Sequence, residues 1–264
     1  MKVFDYKKSL GQNFIYDINL LNAIVSDSCV DKDDFVLEIG TGMGTLTAVL
    51  ANRVKHVLSF EIDKRLEFYH TDLLHKNLNV SVRYEDFLLL SDRDICSFGN
   101  YKVVANLPYY ITTQIIFKLL ECGNPPKSIT IMVQKEVADR MTAKPNTKDF
   151  GILTLNVALH TKPKLMRIVK SEVFTPQPKV DSALMHLTSY DNSCVDKQAV
   201  KKLVKCAFGS RRKTLVNNIL ACYNVTRLQI VQCLTNLGID ASVRGEALNL
   251  EQFIALQEQI KKLC

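Results

Sequence analysis

No apolar run in the chain approaches the ~18–20 residues that cross a bilayer. The first eight residues, Met1-Lys2-Val3-Phe4-Asp5-Tyr6-Lys7-Lys8, are charged and lack the apolar segment of a signal peptide. These absences point to a cytoplasmic protein with no membrane partner. Eight cysteines stand at 29, 96, 122, 194, 206, 222, 233 and 264, yet no two of them form a Cys-x-x-Cys pair. The five histidines (56, 70, 75, 160 and 186) do not cluster with them. Metal sites show paired ligands at short spacing, so no metal is expected, and the thiols read as free, small, buried hydrophobes. Internal repeats and low-complexity stretches are also lacking. The glycines at 40, 42 and 44 are not followed by the Lys-Ser/Thr of a phosphate-binding loop, nor do they fit Gly-x-Gly-x-x-Gly. Counted from Gly40, the third glycine of that pattern falls at Thr45, and Gly44 arrives one residue early.

What is present is an ordinary globular composition. The chain has 264 residues, 47% hydrophobic and 23% charged, enough for one large domain or one of common size plus a small one. The net charge of +7 is unevenly spread. Residues 191–264 hold 11 Lys+Arg against 6 Asp+Glu, and residues 1–190 hold 23 against 21. A basic C-terminal segment attracts phosphate backbones, although a solvated helix face explains any single Lys run equally well.

From residue 35, short β-type runs alternate with amphipathic ones. Strands are expected at Phe35–Ile39, His56–Phe60, Val80–Tyr84, Val103–Ala105 and Ile129–Val133. Helices are expected at Leu46–Ala51, Leu66–His75 and Gln114–Leu120. Such alternation implies a mostly parallel sheet with helices on both faces. Ile152–Leu159, Lys164–Val169 and Asp181–Leu187 read as further strands, and the polar stretch Ser189–Asn192 as a boundary. Beyond it come helical patterns alone, at Lys197–Phe208, Arg211–Tyr223, Arg227–Leu237 and Leu250–Leu263, the last started by Asn249 or a neighbour. The expected architecture is an α/β domain over residues 1–190 and a small all-helical domain over 191–264.

Ligands of open parallel sheets bind beyond the carboxyl ends of the strands, and here the first four strands each end in a distinctive residue. Gly40-Thr41-Gly42-Met43-Gly44 lets a ligand approach the backbone. Glu61, about twenty residues on, suits a ribose diol. Asp86 can accept from the amino group of an adenine ring. Asn106 opens Asn106-Leu107-Pro108-Tyr109, where the amide oxygen and a neighbouring carbonyl can accept two hydrogen bonds from an exocyclic amine while the Tyr109 ring stacks on the base. Any one acid could instead be a solvated strand end or a helix N-cap, and Asn106–Tyr109 alone could be a polar strand end before a Pro turn; the four together argue for a site.

The glycine stretch with Glu61, Asp86 and Asn106 resembles the Rossmann-like class of S-adenosylmethionine-dependent methyltransferases, and Asn106-Leu107-Pro108-Tyr109 resembles their amino-methylating signature. Over nearly its whole length the chain is similar to the ribosomal RNA adenine dimethylase family. The matching stretches include Lys8-Ser9-Leu10-Gly11-Gln12-Asn13-Phe14-Ile15, Phe174-Thr175-Pro176-Gln177-Pro178-Lys179-Val180-Asp181-Ser182-Ala183, Phe208-Gly209-Ser210-Arg211-Arg212-Lys213-Thr214-Leu215 and Arg244-Gly245-Glu246-Ala247-Leu248-Asn249-Leu250. The resemblance implies that Asn13 and Ile15 touch S-adenosyl-L-methionine beside Gly40, Glu61, Asp86 and Asn106. It implies that Asn106, Leu107, Pro108 and Tyr109 hold the target base, with Phe174 as a second aromatic wall. The family often has Gly where Asn146 stands, and Asn also tolerates positive φ.

The implied activity is N6,N6-dimethylation of two adjacent adenosines in a hairpin near the 3′ end of 16S rRNA, by a monomer acting on the small ribosomal subunit. Lys201, Lys202, Lys205, Arg211, Arg212 and Lys213 are the expected RNA contacts, unless they form a solvated helix face. Three rivals stay open. One is the large-subunit, antibiotic-resistance branch, against which Leu107 speaks because that branch usually has Ile there. Another is a DNA adenine methyltransferase, which should bring a larger recognition domain. The third is an assembly factor that only binds RNA.

Overall fold

The computed structural model describes residues 5–7, 10–190 and 194–263; Lys8 and Ser9 of the N-terminal motif, and Asp191 and Asn192 of the expected boundary, lie outside the described residues. In chain order the elements are β1 (Phe14–Ile15), α1 (Ile18–Asp27), β2 (Phe35–Ile39), α2 (Thr45–Ala51), β3 (His56–Phe60), α3 (Glu67–Lys76), β4 (Val80–Arg83), α4 (Asp92–Cys96) and β5 (Lys102–Asn106). Then follow α5 (Thr112–Glu121), β6 (Ser128–Gln134), α6 (Lys135–Met141), α7 (Ile152–His160), β7 (Thr161–Val169), β8 (Phe174–Thr175) and β9 (Ser182–Ser189). The chain ends in α8 (Lys197–Ala207), α9 (Leu215–Leu220), α10 (Arg227–Asn236) and α11 (Leu250–Lys261).

Seven strands form one sheet in the order β4-β3-β2-β5-β6-β9-β7. The five from β4 to β6 are parallel, and β9 runs antiparallel to β6. Strands covered on both faces need apolar residues at nearly every position, which is why Val36, Leu37, Val57, Val103, Val104, Ile129 and Ile131 are all fully buried. From β2 the chain proceeds outward through β3 and β4, and from β5 it proceeds the other way through β6. The strand order therefore reverses between β2 and β5, and a crevice opens there at the carboxyl ends. On one face, Leu21, Ile24 and Val25 of α1 and Leu46, Val49 and Leu50 of α2 bury against Val36, Val57 and Val104. The i, i+3, i+4 spacing of the α1 residues makes one apolar stripe, and the Asp17 carboxylate caps its start by accepting from the Asn19 and Leu20 amides.

The chain divides into two compact units, residues 1–138 with 162–189, and residues 139–161 with 190–264. The second unit thus takes in a segment that the sequence assigns to the first. The same segment holds the clearest error of element type, because Ile152–His160 is a helix and not a strand. Leu153, Leu155, Val157 and Leu159 alternate with Thr154, Asn156 and Ala158, the period-two pattern of a strand. The helix is buried nearly all round, with Leu153, Leu155, Val157 and Leu159 inside. Leu155 and Leu159 join Phe150, Leu203, Leu215, Ile230, Leu234 and Phe253 in the core of the helical unit. Capping is explicit there: Thr226 with Gln229 and Asn249 with Gln252 each form reciprocal N-terminal boxes. Asn249 does start the last helix, and Asn146 has φ +64°. Among the described cysteines only 122, 206 and 233 are buried, so the expectation of buried thiols fails at 29, 96, 194 and 222.

Leu155→Ala retains helix propensity and removes only packing, so it should cost about 2–5 kcal/mol, read as a lowered midpoint in urea unfolding followed by circular dichroism. A loss below about half a kcal/mol, the scale of a surface substitution, would contradict the assignment of α7 to that core.

Candidate active site

The turn after β2 is held from both sides. The Gly40 amide donates to the Phe60 carbonyl (2.8 Å) and the Gly44 amide to that of Thr41 (2.9 Å). Gly42 has φ +57° and a Cβ there would meet Phe14 at 2.8 Å; Gly44 has φ +76° and its Cβ would meet Leu73 at 2.8 Å. Both positions therefore require glycine on conformational and steric grounds. Glu61, after β3, accepts from the Gly42 amide through Oε2 and from the Asp63 amide through Oε1, each at 2.9 Å. His70 of α3 closes the back of the loop, with Nε2 2.8 Å from the Gly42 carbonyl and Nδ1 2.7 Å from the Tyr84 hydroxyl. A carbonyl only accepts, so Nε2 carries the proton and Nδ1 accepts from the tyrosine.

Asn106 ends β5. Its Nδ2 donates to the Asn13 carbonyl at 2.9 Å, which fixes the orientation of the amide and leaves Oδ1 as the end available to accept. Asn13 in turn donates through Nδ2 to the Gly11 carbonyl (3.1 Å), and the Ile15 carbonyl receives the Thr45 hydroxyl (2.8 Å). Segment 10–15 is thereby tied to β5 and to the start of α2. Pro108 begins a turn closed by the Ile111 amide and the Thr112 hydroxyl, both donating to its carbonyl. The Tyr109 hydroxyl lies 2.5 Å from that of Ser182, so the ring is anchored at its tip.

Together these groups enclose a cavity of about 320 Å³. Its acids are Glu38, Glu61, Glu85 and Asp86, and among the described residues no lysine or arginine lines it. Glu85 pairs with Arg83, which stands outside the lining. Burial raises the Glu61 carboxyl above the ordinary range, against the lowering effect of its amide donors. Glu38 is fully buried. Its Oε2 accepts from Thr47 (2.6 Å) and Ser59 (2.7 Å), while Oε1 has no partner. Desolvation, only partly offset by those two hydroxyls, pushes it up to about 8. Asp86 accepts from the Leu88 amide with Oδ1 at 2.9 Å, capping a single 3₁₀ turn.

The family described as ribosomal RNA adenine dimethylase matches residues 3–262. The chain belongs to that family. It is 45% identical over 257 residues to ribosomal RNA small subunit methyltransferase A of Caldanaerobacter subterraneus, covering 95% of each chain. Among solved structures it resembles a dimethyladenosine transferase from Plasmodium falciparum, with TM-score 0.83 and 26% identity over 94% of this chain and 98% of that one. It also resembles the 23S rRNA methyltransferase ErmE, with TM-score 0.71 and 26% identity over 94% of this chain and all of the other. Membership in the adenine dimethylase family makes the protein a methyltransferase of Rossmann-like fold with a helical C-terminal part.

Against that membership, the sequence-derived positions divide into two groups. Asn13, Ile15, Gly40, Glu61, Asp86 and Asn106 line this cavity, as do Leu107, Pro108 and Tyr109. Phe174 does not. It sits in β8, paired with Ile15, is 2% exposed and belongs to the core beneath β1. Tyr110, about half exposed, lines the cavity in addition to Tyr109. The basic residues lie in the helical unit. Lys201, Lys202 and Lys205 are on α8, the first half-buried and the other two exposed, and Arg211, Arg212 and Lys213 form an exposed turn before α9. Lys202 Nζ stands 4.9 Å over the Tyr223 ring. Glu38, Gln12, Glu85 and Tyr110 of the lining escaped the sequence reading, as did Asp63 and His70 behind it. Glu38 left a signal, a charge within the apolar run Phe35–Ile39, and Gln12 stood in the matching stretch before Phe14.

The cavity fits the methyl donor that the family implies. A Cβ at Gly40 would meet nothing nearer than 3.7 Å, so that glycine leaves an open cradle at the loop. Glu38 Oε1 is a buried polar atom without a protein partner at the cavity wall, and the acidic residues along that wall suit a ligand that carries positive charge.

Glu38 also supplies a pH test. Folded, it keeps its proton to about pH 8; unfolded, it releases it near the ordinary value of about 4.3. The folded chain binds more protons between those limits, so Glu38 makes stability fall as pH rises from about 4.3 towards 8. Glu38→Gln should remove a decline on the order of a few kcal/mol from the ligand-free stability measured across about pH 5–8. Parallel curves for the two proteins would contradict the buried, protonated carboxyl.

Proposed function

We propose that the protein transfers methyl groups from S-adenosyl-L-methionine to N6 of two adjacent adenosines in a hairpin near the 3′ end of 16S rRNA, giving N6,N6-dimethyladenosine. On this reading it acts as a monomer in the cytoplasm, on the small ribosomal subunit late in its assembly. The observation that carries the reading is a cavity lined by four acids that ends at the oriented amide of Asn106. Glu61 would hold the ribose diol, Asp86 the adenine amino group, and Asn13, Ile15 and Gly40 the remainder of the donor. When bound, the donor supplies a methyl group already activated by its sulfonium sulfur.

The chain's own task is then positioning and polarisation. The lone pair of adenine N6 is delocalised into the ring, so the amine is a poor nucleophile. Asn106 Oδ1 and the Leu107 carbonyl accept its two N–H groups and draw the nitrogen towards tetrahedral geometry, which localises the pair. Pro108 fixes the turn that aims this carbonyl. Tyr109, anchored through Ser182, offers a fixed face to a base that has left its stack. Phe174 would reach the base only if β8 moved, so the wall on this side rests with Tyr109 and Tyr110. Lys201, Lys202, Lys205, Arg211, Arg212 and Lys213 would neutralise rRNA phosphates.

The 45% identity to a small-subunit methyltransferase, against 26% to a 23S enzyme, supports the small subunit as substrate. The test is methyl transfer from labelled donor to undermethylated small subunits, large subunits and naked RNA side by side, with the product identified by mass spectrometry. Asn106→Ala should lower kcat by roughly 10²–10³-fold while donor affinity, measured by calorimetry, changes far less. Near-normal turnover would sink the mechanism. Replacing Arg211, Arg212 and Lys213 by Ala should weaken subunit binding and reduce the slope of log K against log salt by ~0.7 to 0.9 for each phosphate no longer neutralised; an unchanged slope would make the cluster a solvated surface.

A further inference from the structure

Asp63 takes no part in the roles assigned above, yet it is 5% exposed and stands at the centre of a hydrogen-bond relay. Its Oδ2 accepts from Gln12 Nε2 at 2.8 Å. Gln12 is itself oriented, because its Oε1 accepts from the Lys7 amide at 2.8 Å, which assigns Nε2 to Asp63. Arg65 grips the same carboxylate in a fork, with Nε 2.9 Å from Oδ1 and Nη2 2.6 Å from Oδ2. Its Nη1 reaches the Asp5 carbonyl at 3.2 Å. The Asp63 main chain faces the other way, its amide donating to Glu61 Oε1, and Glu61 Oε2 receives the Gly42 amide. One residue thus joins Gln12, and through Arg65 the Asp5 carbonyl, to the acid and the glycine loop of the donor pocket.

We propose that Asp63 is a positioning residue: it fastens Gln12 and the segment around it as the roof of the cavity, and so sets the affinity for the methyl donor rather than the rate of transfer. The proposal rests on the reading of this cavity as the donor site. A bidentate guanidinium–carboxylate pair fixes orientation as well as distance, so Arg65 aims Oδ2 at Gln12 where a lone carboxylate could turn to solvent. The Arg65 guanidinium also holds the Asp63 carboxyl down at about 2, which makes it a permanent anion at any working pH. Gln12 lines the cavity beside Asn13, and the Asn13 carbonyl receives the Asn106 amide. A roof released at Gln12 has a second fastening at Asn106, so the target-base end keeps its geometry. Binding of the donor then bears the cost of ordering the segment.

The test compares Gln12→Ala, Asp63→Ala, their double variant and Asp63→Glu with the native protein. Two readouts are used: binding of S-adenosylhomocysteine by calorimetry, and steady-state kinetics with the donor varied at fixed, saturating small subunits. Gln12→Ala and Asp63→Ala should each raise Kd and the donor KM by roughly tenfold (about 1.4 kcal/mol), with kcat falling no more than about twofold. The double variant should be little worse than either single one, since both break one link, and Asp63→Glu should recover part of the affinity. Should Asp63→Ala fail to fold, Gln12→Ala carries the test, because it leaves the Asp63–Arg65 pair and the Glu61 contacts in place. Unchanged donor affinity in Gln12→Ala, additive effects in the double variant, or a fall in kcat at unchanged KM would each overturn the proposal. Failure of the native protein to bind S-adenosylhomocysteine would overturn the donor-site reading itself.

Discussion

The parallel register of β3, β2 and β5 is the constraint on which the rest depends. Leu37 lies opposite Leu58 on one side and Val103 on the other, so the three strands end at one edge of the sheet. Gly40, Glu61 and Asn106, which stand at those ends, must then share one crevice, although they are drawn from distant parts of the chain. A slip of one residue in any of these strands would turn its apolar set out of the core and carry its functional residue away with it. Packing of the sheet and geometry of the site are therefore one requirement.

A second theme is charge. The deepest acids of the crevice are met by backbone amides and hydroxyls rather than by cations. Glu61 is held by two amides, and Glu38, which keeps its proton to about pH 8, by two hydroxyls. Burying acids in this way opposes folding. A ligand that carries positive charge would offset that cost. Asp63 is treated differently. Arg65 gives it a full counter-ion, and its carboxylate points to the roof instead of the ligand.

What was legible in the sequence follows the range of the interactions concerned. The strand ends could be read because a buried parallel strand is a short apolar run, and a polar residue at its terminus stands out; Gly40, Glu61, Asp86 and Asn106 all belong to that class. Ile152–Leu159 could not, because its large apolar residues alternate as a strand's do while the helix is buried nearly all round, and its assignment to the helical unit depends on contacts with residues from 200 onward. The burial of Phe174, to which only the resemblance gave a role, was hidden for a related reason. Its partner strand has two residues, too short to leave a pattern, and the pairing that buries it joins Ile15 to Phe174 across more than half the chain. Gln12 and Asp63 meet across 51 positions, and nothing local to either announces the other.

The central claim is that one cavity binds the donor with Glu61 and Asp86 and presents its methyl group to an amine held at Asn106. A crystal structure with S-adenosylhomocysteine tests it most directly. The account predicts the ribose diol on Glu61, the adenine amino group on Asp86, and the sulfur facing the Asn106 amide with segment 10–15 still closed over the ligand. A ligand seated elsewhere, or one whose sulfur faces away from Asn106 with Glu61 unengaged, would contradict it.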